Sequence, residues 1–276
     1  MRSSRSRNSA AITAILTIFI AASGSSAQLV QDSVPDLQRI DVIEHLGQTI
    51  PLDLEFLNSH GESVHLRDYF GRGKPVILSL HYTNCPMLCS LVLNGLSKTV
   101  NELAYTPGEE FQMLSVSFDP RETPQLAAAI KERYQGTLKV GAPADAWEFL
   151  VGPESHSKAL AEALGFKYYY IEKTGEFAHP AVIFVLTQDG RISRYIYGIN
   201  FKERDLRLAL LEASEGKIGN TVDRLILYCF HYDPDAKGYV VLAGNVMKLG
   251  GAASLILLGL FLGFLWGKER LRKKSA

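Results

Sequence analysis

The sequence predicts an α/β domain with a central mixed sheet, followed by one C-terminal transmembrane helix. Short apolar runs that suit buried strands alternate with segments whose apolar residues recur at helical spacing. The predicted order is β-α-β-α-α-β-β-α, and no internal repeat or low-complexity segment interrupts it. Beyond this domain, residues 249–266 carry no charge and are numerous enough to approach the length of a bilayer span.

The first half of the domain supplies two strands and two helices. Residues 76–82 form a short, largely apolar run that suits a buried strand. Apolar residues at helical spacing up to Leu103 indicate a helix, and alternation over residues 111–118 indicates a second strand. Thr123-Pro124 predicts the start of the next helix, with Thr as the cap and Pro at the first position.

The second half supplies two more helices and a hairpin. Residues 155–164 fit a helix that ends at a glycine. Residues 181–186 are a compact apolar strand, and Gln188-Asp189-Gly190 predicts a tight turn into a strand at residues 192–197. Residues 202–213 close the domain with a helix.

The N-terminus has the pattern of an export signal. Three arginines in the first seven residues precede an apolar run at residues 10–22, and Ser25-Ser26-Ala27 fits a cleavage site. We expect residues 1–27 to be a signal peptide and residues 28–42 a lead-in. The alternative, an uncleaved anchor, is less favoured because the run is shorter than the ~20 residues that span a bilayer.

The C-terminal end predicts the membrane topology. Residues 239–266 fit a transmembrane helix, and residues 267–276 form a basic tail that should stay in the cytoplasm. The domain, residues 43–214, and a juxtamembrane connector, residues 215–238, would then lie on the periplasmic side of the cell membrane. A signal peptide requires the same orientation. Basic and acidic residues number 29 each, so no global basic field indicates nucleic-acid binding.

The chain has three cysteines, Cys85, Cys89 and Cys229. An odd number with one close pair indicates a working dithiol rather than a disulfide framework. The pair sits where a strand gives way to a helix, whose N-terminal amides stabilise a thiolate. Three residues separate the two cysteines, and this i, i+4 spacing stacks both sulfurs on one helix face. Such thiolates can share one soft metal ion or oxidise to a disulfide, and the spacing leaves both open.

His179 precedes the apolar strand at residues 181–186 and could complete a Cys₂His set. Thiolates select Cu(I), and an imidazole makes Cu(II) tolerable as well. Zinc accepts similar ligands, but its structural sites are usually four-coordinate, and no fourth ligand is close in sequence. On its own, a histidine in a loop is more often an ordinary polar residue.

Three motifs in order give the chain a family resemblance. They are YTNCPMLC at residues 82–89, SVSFDP at residues 115–120, and the later His179 followed by strand, turn and strand. With these the chain resembles the Sco/SenC family of copper-binding, thioredoxin-fold proteins, over about residues 48–214. The resemblance implies a thioredoxin-like three-layer sandwich.

The resemblance also implies site residues and a function. Cys85 and Cys89 would be thiolate ligands and a redox-active pair, and His179 the nitrogen ligand, for Cu(I) or Cu(II). Asp119 would be an acidic residue near the metal that orients a ligand or partner; the alternative is a turn residue. The implied function is a copper metallochaperone that delivers copper to, or matures, the copper centre of cytochrome c oxidase subunit II. Its implied partner is that subunit or a periplasmic copper chaperone.

Two alternatives belong to the enzyme class. An extracytoplasmic thiol–disulfide oxidoreductase would keep the cysteines of a copper site reduced, and a ligating dithiol can also exchange. A thioredoxin-fold peroxidase is disfavoured because that chemistry needs one activated cysteine rather than a close pair with a distant histidine.

Some positions depart from the family pattern. Many relatives have Pro where this chain has Ser90, and Asp and Ser or Thr where it has Ala178 and Pro180. These changes leave the ligands intact and alter their surroundings, which tune affinity and potential. Cys229 and His231 form a Cys-x-His sequence near the membrane, which would either add a second copper position or pack at the interface.

Overall fold

The computed structural model describes residues 40–215 and 226–274, with side chains described as far as Trp266. The predicted signal peptide at residues 1–27 and nearly all of the lead-in lie outside the described residues. In chain order, the strands and helices are β1 (Glu55–Leu57), β2 (Ser63–His65), β3 (Val76–His81), α1 (Leu88–Glu102), β4 (Gln112–Ser117), α2 (Pro124–Gln135), β5 (Trp147–Leu150), α3 (Glu154–Ala163), β6 (Tyr169–Ile171), β7 (Glu176–Ala178), β8 (Val182–Leu186), β9 (Ile192–Tyr197), α4 (Glu203–Ala213), β10 (Phe230–Asp233), β11 (Gly238–Val241) and α5 (Ala243–Lys274).

The domain is built on a five-stranded mixed sheet in the order β5-β4-β3-β8-β9. Strands β3, β4 and β5 are parallel, whereas β8 is antiparallel to both β3 and β9. Parallel strands need crossover connections, and the helices α1 and α2 provide them. The predicted mixed sheet is therefore confirmed.

Apolar side chains pack on both faces of the sheet and make three layers. Residues of α1, α2 and α4 share one apolar cluster with alternate residues of the strands, such as Ile77. On the other face of the sheet, residues of α3 and of β1 share a second apolar cluster with the strand residues that point to that face, such as Leu78 and Leu80 of β3. Strands β3 and β4 are buried at every position, as expected for parallel strands that are covered on both faces of the sheet.

Most predicted elements lie within one or two residues of the observed ones, and two kinds of detail differ. Thr123 occupies the cap position of α2, but its side chain makes no capping hydrogen bond; its carbonyl accepts the amides of Leu126 and Ala127 instead. Strands β1, β2, β5, β6 and β7 were not predicted. Four of them have only three residues and form two-stranded ribbons, which are too short for an alternating pattern to be distinctive.

The membrane-proximal region differs from the predicted boundaries. The predicted span began at Tyr239, but residues Gly238–Val241 form β11, paired with β10, and helix α5 begins at Ala243. The reason is tertiary, because the Tyr239 hydroxyl donates to Glu212 of α4 and its ring packs on Tyr232. Residues Ala243–Trp266 form an apolar helix of 24 residues with no burial against the domain, long enough to cross a membrane.

Candidate metal centre

The topology of the sheet brings the cysteines and His179 to the same edge. Cys85 and Cys89 follow the carboxyl end of β3, in the loop and first turn that open α1. Strand β8 runs antiparallel to β3, with Ser79 opposite Ile183, so the amino end of β8 lies beside the carboxyl end of β3. His179, three residues before β8, therefore reaches the cysteines across a sequence separation of 90 residues or more.

The three side chains converge on a common point. The Nε2 atom of His179 lies 3.3 Å from the Cys89 sulfur and 4.0 Å from the Cys85 sulfur. All three ligand atoms lie within 4.8 Å of one another. Ligand atoms bound at about 2.0–2.3 Å to one metal ion are separated by roughly 3.3–4 Å. The residues thus form a group that fits a single metal ion.

The ring of His179 is oriented for ligation through Nε2. Its Nδ1 atom lies 3.0 Å from the carbonyl oxygen of Pro180. A carbonyl only accepts hydrogen bonds, so this contact requires the proton on Nδ1. The Nε2 lone pair is then free to face the sulfurs, which is the arrangement that metal-binding histidines use.

The two sulfurs differ in exposure and in protonation. Cys89 is 4 % exposed, whereas Cys85 is partly open to solvent. The Cys89 thiol donates to the Cys85 sulfur, which holds the pKa of Cys85 well below its usual range and raises the pKa of Cys89. The Cys89 amide adds a hydrogen bond of 3.2 Å to the Cys85 sulfur. The pair therefore holds one accessible thiolate and one buried thiol, whose proton a metal ion would displace.

Aromatic rings enclose His179 on its buried sides. The rings of Tyr82, Phe118 and Phe166 lie 5.9, 5.5 and 6.0 Å from the imidazole, measured between centroids. The sequence interpretation missed these residues. Tyr82 and Phe118 belong to the family motifs and could have been found there, whereas only the tertiary structure brings Phe166 to the site.

Asp119 lies near the site but binds an arginine. Its side chain is 1 % exposed, and both carboxylate oxygens accept hydrogen bonds of 2.7 Å from Arg121. The Arg121 guanidinium lies over the rings of Tyr170 and Phe177, and Phe177 is two residues before His179. Among the described residues, no hydrogen bond joins Asp119 to the three candidate ligands, so its role in orienting a ligand stays a prediction.

Glu122 is a further residue that sequence reasoning missed. Its Oε1 atom accepts the amide of Thr83, in the loop that leads to Cys85. Burial raises the pKa of this carboxyl group. Glu122 thus ties the start of α2 to the cysteine loop. A glutamate near a helix start is too common for the sequence to indicate such a contact.

Cys229 and His231 do not join the centre. Cys229 is partly exposed, and its backbone carbonyl accepts the amide of Leu242. The side chain of His231 points to solvent. Within residues 40–215 and 226–266, the only cluster of three or more potential metal ligands is that of Cys85, Cys89 and His179.

A large cavity lies beside the centre rather than on it. Its volume is about 940 Å³, and Phe118, Phe166 and Phe177 form part of its wall. None of the three candidate ligands lines this cavity. The aromatic rings therefore lie between the cavity and His179, and of the three candidate ligand residues only Cys85 is partly exposed.

Comparison with known proteins identifies the family. The model of the SCO1/SenC family matches residues 45–209, more than half of the chain. A structure described as a putative electron transfer protein from Aquifex aeolicus is 29% identical with a TM-score of 0.55, covering 62% of this chain and 96% of that chain. A second Aquifex aeolicus structure, a putative electron transport protein, is 28% identical with a TM-score of 0.51, covering 62% and 99%.

A third neighbour is Arabidopsis thaliana ScoI with copper bound, at 19% identity and a TM-score of 0.46, covering 62% of this chain and 94% of that chain. No protein of curated function matches the sequence. The family match includes the cysteine pair, His179 and the whole central sheet. The chain belongs to the SCO1/SenC family and has its thioredoxin-like fold.

Proposed function

We propose that this protein is a copper metallochaperone, which binds copper through Cys85, Cys89 and His179 and matures the copper centre of cytochrome c oxidase subunit II. The observation that carries the proposal is the convergence of two sulfurs and one imidazole nitrogen within 4.8 Å. Membership of the SCO1/SenC family supports copper as the metal and oxidase assembly as the setting.

The donor set suits copper in both oxidation states. Two thiolates hold the soft Cu(I) ion, and a neutral imidazole adds the nitrogen that Cu(II) prefers. The set of three leaves a coordination position open, unlike the closed four-ligand sites of structural zinc. Because Cys85 is partly exposed, a ligand of a partner protein can attack the metal from that side, and copper can pass by ligand exchange.

The proposed location is the cell membrane, with the metal centre on the periplasmic side. Helix α5 is the candidate anchor, and the cationic residues that follow Trp266 favour a cytoplasmic C-terminus. A membrane anchor confines the domain to the surface on which a membrane-bound oxidase presents its own copper centre. Subunit II, or a periplasmic copper chaperone, is the proposed partner.

A thiol–disulfide oxidoreductase is the second candidate function. It is supported by the difference between the two cysteines in exposure and in pKa. Cys85 is accessible and its pKa is lowered, which is the state of an attacking thiolate. Cys89 lies beside it and could resolve a mixed disulfide. In this role the protein would reduce the cysteines of a copper site before the metal arrives.

Copper titration of the full chain in detergent separates the candidates. The reduced protein is titrated with Cu(I) under anaerobic conditions and with Cu(II), alongside Cys85→Ser, His179→Ala and the control Cys229→Ser. A chaperone binds one copper ion tightly, retains Cu(I) in His179→Ala and loses Cu(II) there. If the wild type binds copper no better than Cys85→Ser and reduces insulin disulfides rapidly, the oxidoreductase is the correct function.

A further inference from the structure

Tyr82 contacts both Cys89 and His179 of the candidate metal centre. Its backbone amide donates to the Cys89 sulfur at 3.4 Å, and its ring packs edge-on against the imidazole of His179. Its hydroxyl accepts the amide of Phe177 at 3.3 Å and donates to the carbonyl of the same residue at 3.4 Å. Only 2 % of the residue is exposed. Tyr82 therefore joins the segment with the cysteines to the segment with His179.

On the C-terminal side, the segment that carries His179 is fixed by the main sheet, where the Ala181 carbonyl accepts the amide of Gly198 at 2.9 Å. On the N-terminal side its backbone attachments are few. Strand β7 pairs only with β6, in a two-stranded ribbon of three residue pairs outside the main sheet. In an antiparallel ribbon, alternate residues point both their N–H and C=O groups away from the partner strand. Phe177 is such a residue, because its N–H donates to the Tyr82 hydroxyl and its C=O accepts from the same hydroxyl. The hydroxyl thus closes an edge that would otherwise lack hydrogen bonds.

The remaining contacts of His179 do not fix its distance from the sulfurs. The bond from Nδ1 to Pro180 is local and moves with the loop. The rings of Phe118 and Phe166 give apolar contact without direction. Hydrogen bonds between the cysteine segment and the His179 segment are of two kinds. Some involve the ligand atoms themselves. Among the described residues, the others are the two bonds between the Tyr82 hydroxyl and the backbone of Phe177.

We propose that the Tyr82 hydroxyl is a positioning group that holds His179 against the two thiolates and so sets the preference between Cu(II) and Cu(I). This inference rests on the proposed copper function. Two thiolates suffice for Cu(I), whereas Cu(II) depends on the imidazole. Loosening β7 therefore weakens Cu(II) binding and leaves Cu(I) binding largely unchanged.

Tyr195 offers a matched control. Its hydroxyl also accepts one backbone amide, that of His45 at 2.8 Å, and donates to one carbonyl, that of Leu164 at 3.1 Å. It is fully buried, and its ring does not contact His179. Tyr195→Phe thus removes one accepted and one donated backbone hydrogen bond, as Tyr82→Phe does, but at a position away from the metal centre.

The test compares full-length wild type, Tyr82→Phe and Tyr195→Phe in detergent, with circular dichroism to verify the fold. Cu(II) binding is followed by the thiolate-to-copper charge-transfer spectrum, and Cu(I) binding by competition with a chromogenic Cu(I) chelator. In Tyr82→Phe we expect Cu(II) affinity to fall about tenfold, the range for loss of a group that orients a ligand, with an altered charge-transfer band. Cu(I) affinity should change less than about twofold, since the thiolates that select Cu(I) remain.

Three results overturn the inference. The first is an unchanged Cu(II) affinity and spectrum in Tyr82→Phe. The second is an equal loss of affinity for Cu(II) and Cu(I) in Tyr82→Phe, and the third is an equal loss of Cu(II) affinity in Tyr195→Phe, since either would reflect stability alone. If the wild type itself retains neither Cu(I) nor Cu(II), the proposed copper function fails instead, and that result is distinct from the other three.

Discussion

Two regions of the molecule combine cysteine with histidine, and only one forms a metal group. In the centre at the sheet edge, His179 is 90 residues from Cys89 in sequence, yet its Nε2 lies 3.3 Å from the sulfur. In the membrane-proximal hairpin, Cys229 and His231 are two residues apart, and neither belongs to a cluster of three ligands among the described residues. Nearness in sequence therefore did not indicate the site.

The difference follows from what surrounds each pair. The sheet edge gathers the ends of β3 and β8 and encloses the imidazole with aromatic rings. The hairpin of β10 and β11 instead attaches the domain to the start of α5. The Tyr232 hydroxyl lies 3.1 Å from both Glu44 and the carbonyl of Tyr195. The hairpin thus connects the domain to α5, and Cys229 and His231 belong to no group of three potential ligands among the described residues.

Replacing single cysteines should separate the two regions most strongly. Cys85→Ser and Cys89→Ser each remove a thiolate ligand, so Cu(I) affinity should fall by more than the roughly 100-fold that an outer hydrogen-bond partner can contribute. Cys229→Ser should bind Cu(I) as the wild type does. Competition with a Cu(I) chelator gives all three affinities. A marked loss in Cys229→Ser would mean that the hairpin contributes a ligand.

Thiol alkylation should then distinguish the sulfurs within the centre. A lowered pKa means that Cys85 is already a thiolate at neutral and mildly acidic pH. We expect the alkylation rate of Cys85 by iodoacetamide, measured in the Cys229→Ser variant, to stay nearly constant between about pH 6 and about pH 8. The alkylation rate of an ordinary thiol rises roughly 75-fold over the same range. Cys89 should react slowly, because burial and the bond to Cys85 keep it protonated.

Cys89→Ala supplies the control for that experiment. This change removes the thiol that donates to Cys85, which is the largest cause of the lowered pKa. The Cys85 rate should then rise with pH. Peptide mapping by mass spectrometry assigns each alkylated residue. A rate that stays flat in Cys89→Ala would show that His179 and the backbone amides maintain the thiolate without the Cys89 thiol.

The smallest expected effect is on stability, in the hairpin. Tyr232→Phe removes a buried hydroxyl that bonds Glu44 and the Tyr195 carbonyl, and should lower the free energy of unfolding by about 1–2 kcal/mol. Copper affinity should not change, since no ligand moves. Denaturant unfolding and Cu(I) competition on the same samples check both statements. A parallel loss of copper affinity would show that the two regions are coupled.

Most of the element order was predictable because β3, β4 and β8 are buried at every position and the helices repeat their apolar residues regularly. Strand β5 is equally buried but was not predicted. Strand β9 was predicted at its observed bounds, and β8 to within one residue. The ribbon of β6 and β7 was not predicted, although β7 ends at the residue before His179. Its stability comes from Tyr82 and Arg121 rather than from its own sequence pattern.

The sequence by itself determined the dithiol at a strand–helix junction, the mixed sheet and an apolar C-terminal segment, because local spacing and hydrophobic periodicity express these features. It nominated His179 only through family resemblance. The tertiary structure decided which histidine meets the cysteines, which of the two sulfurs is the thiolate, and that residues Gly238–Val241 form a strand instead of membrane helix. These outcomes depend on contacts between residues far apart in the chain, and no local pattern contains them.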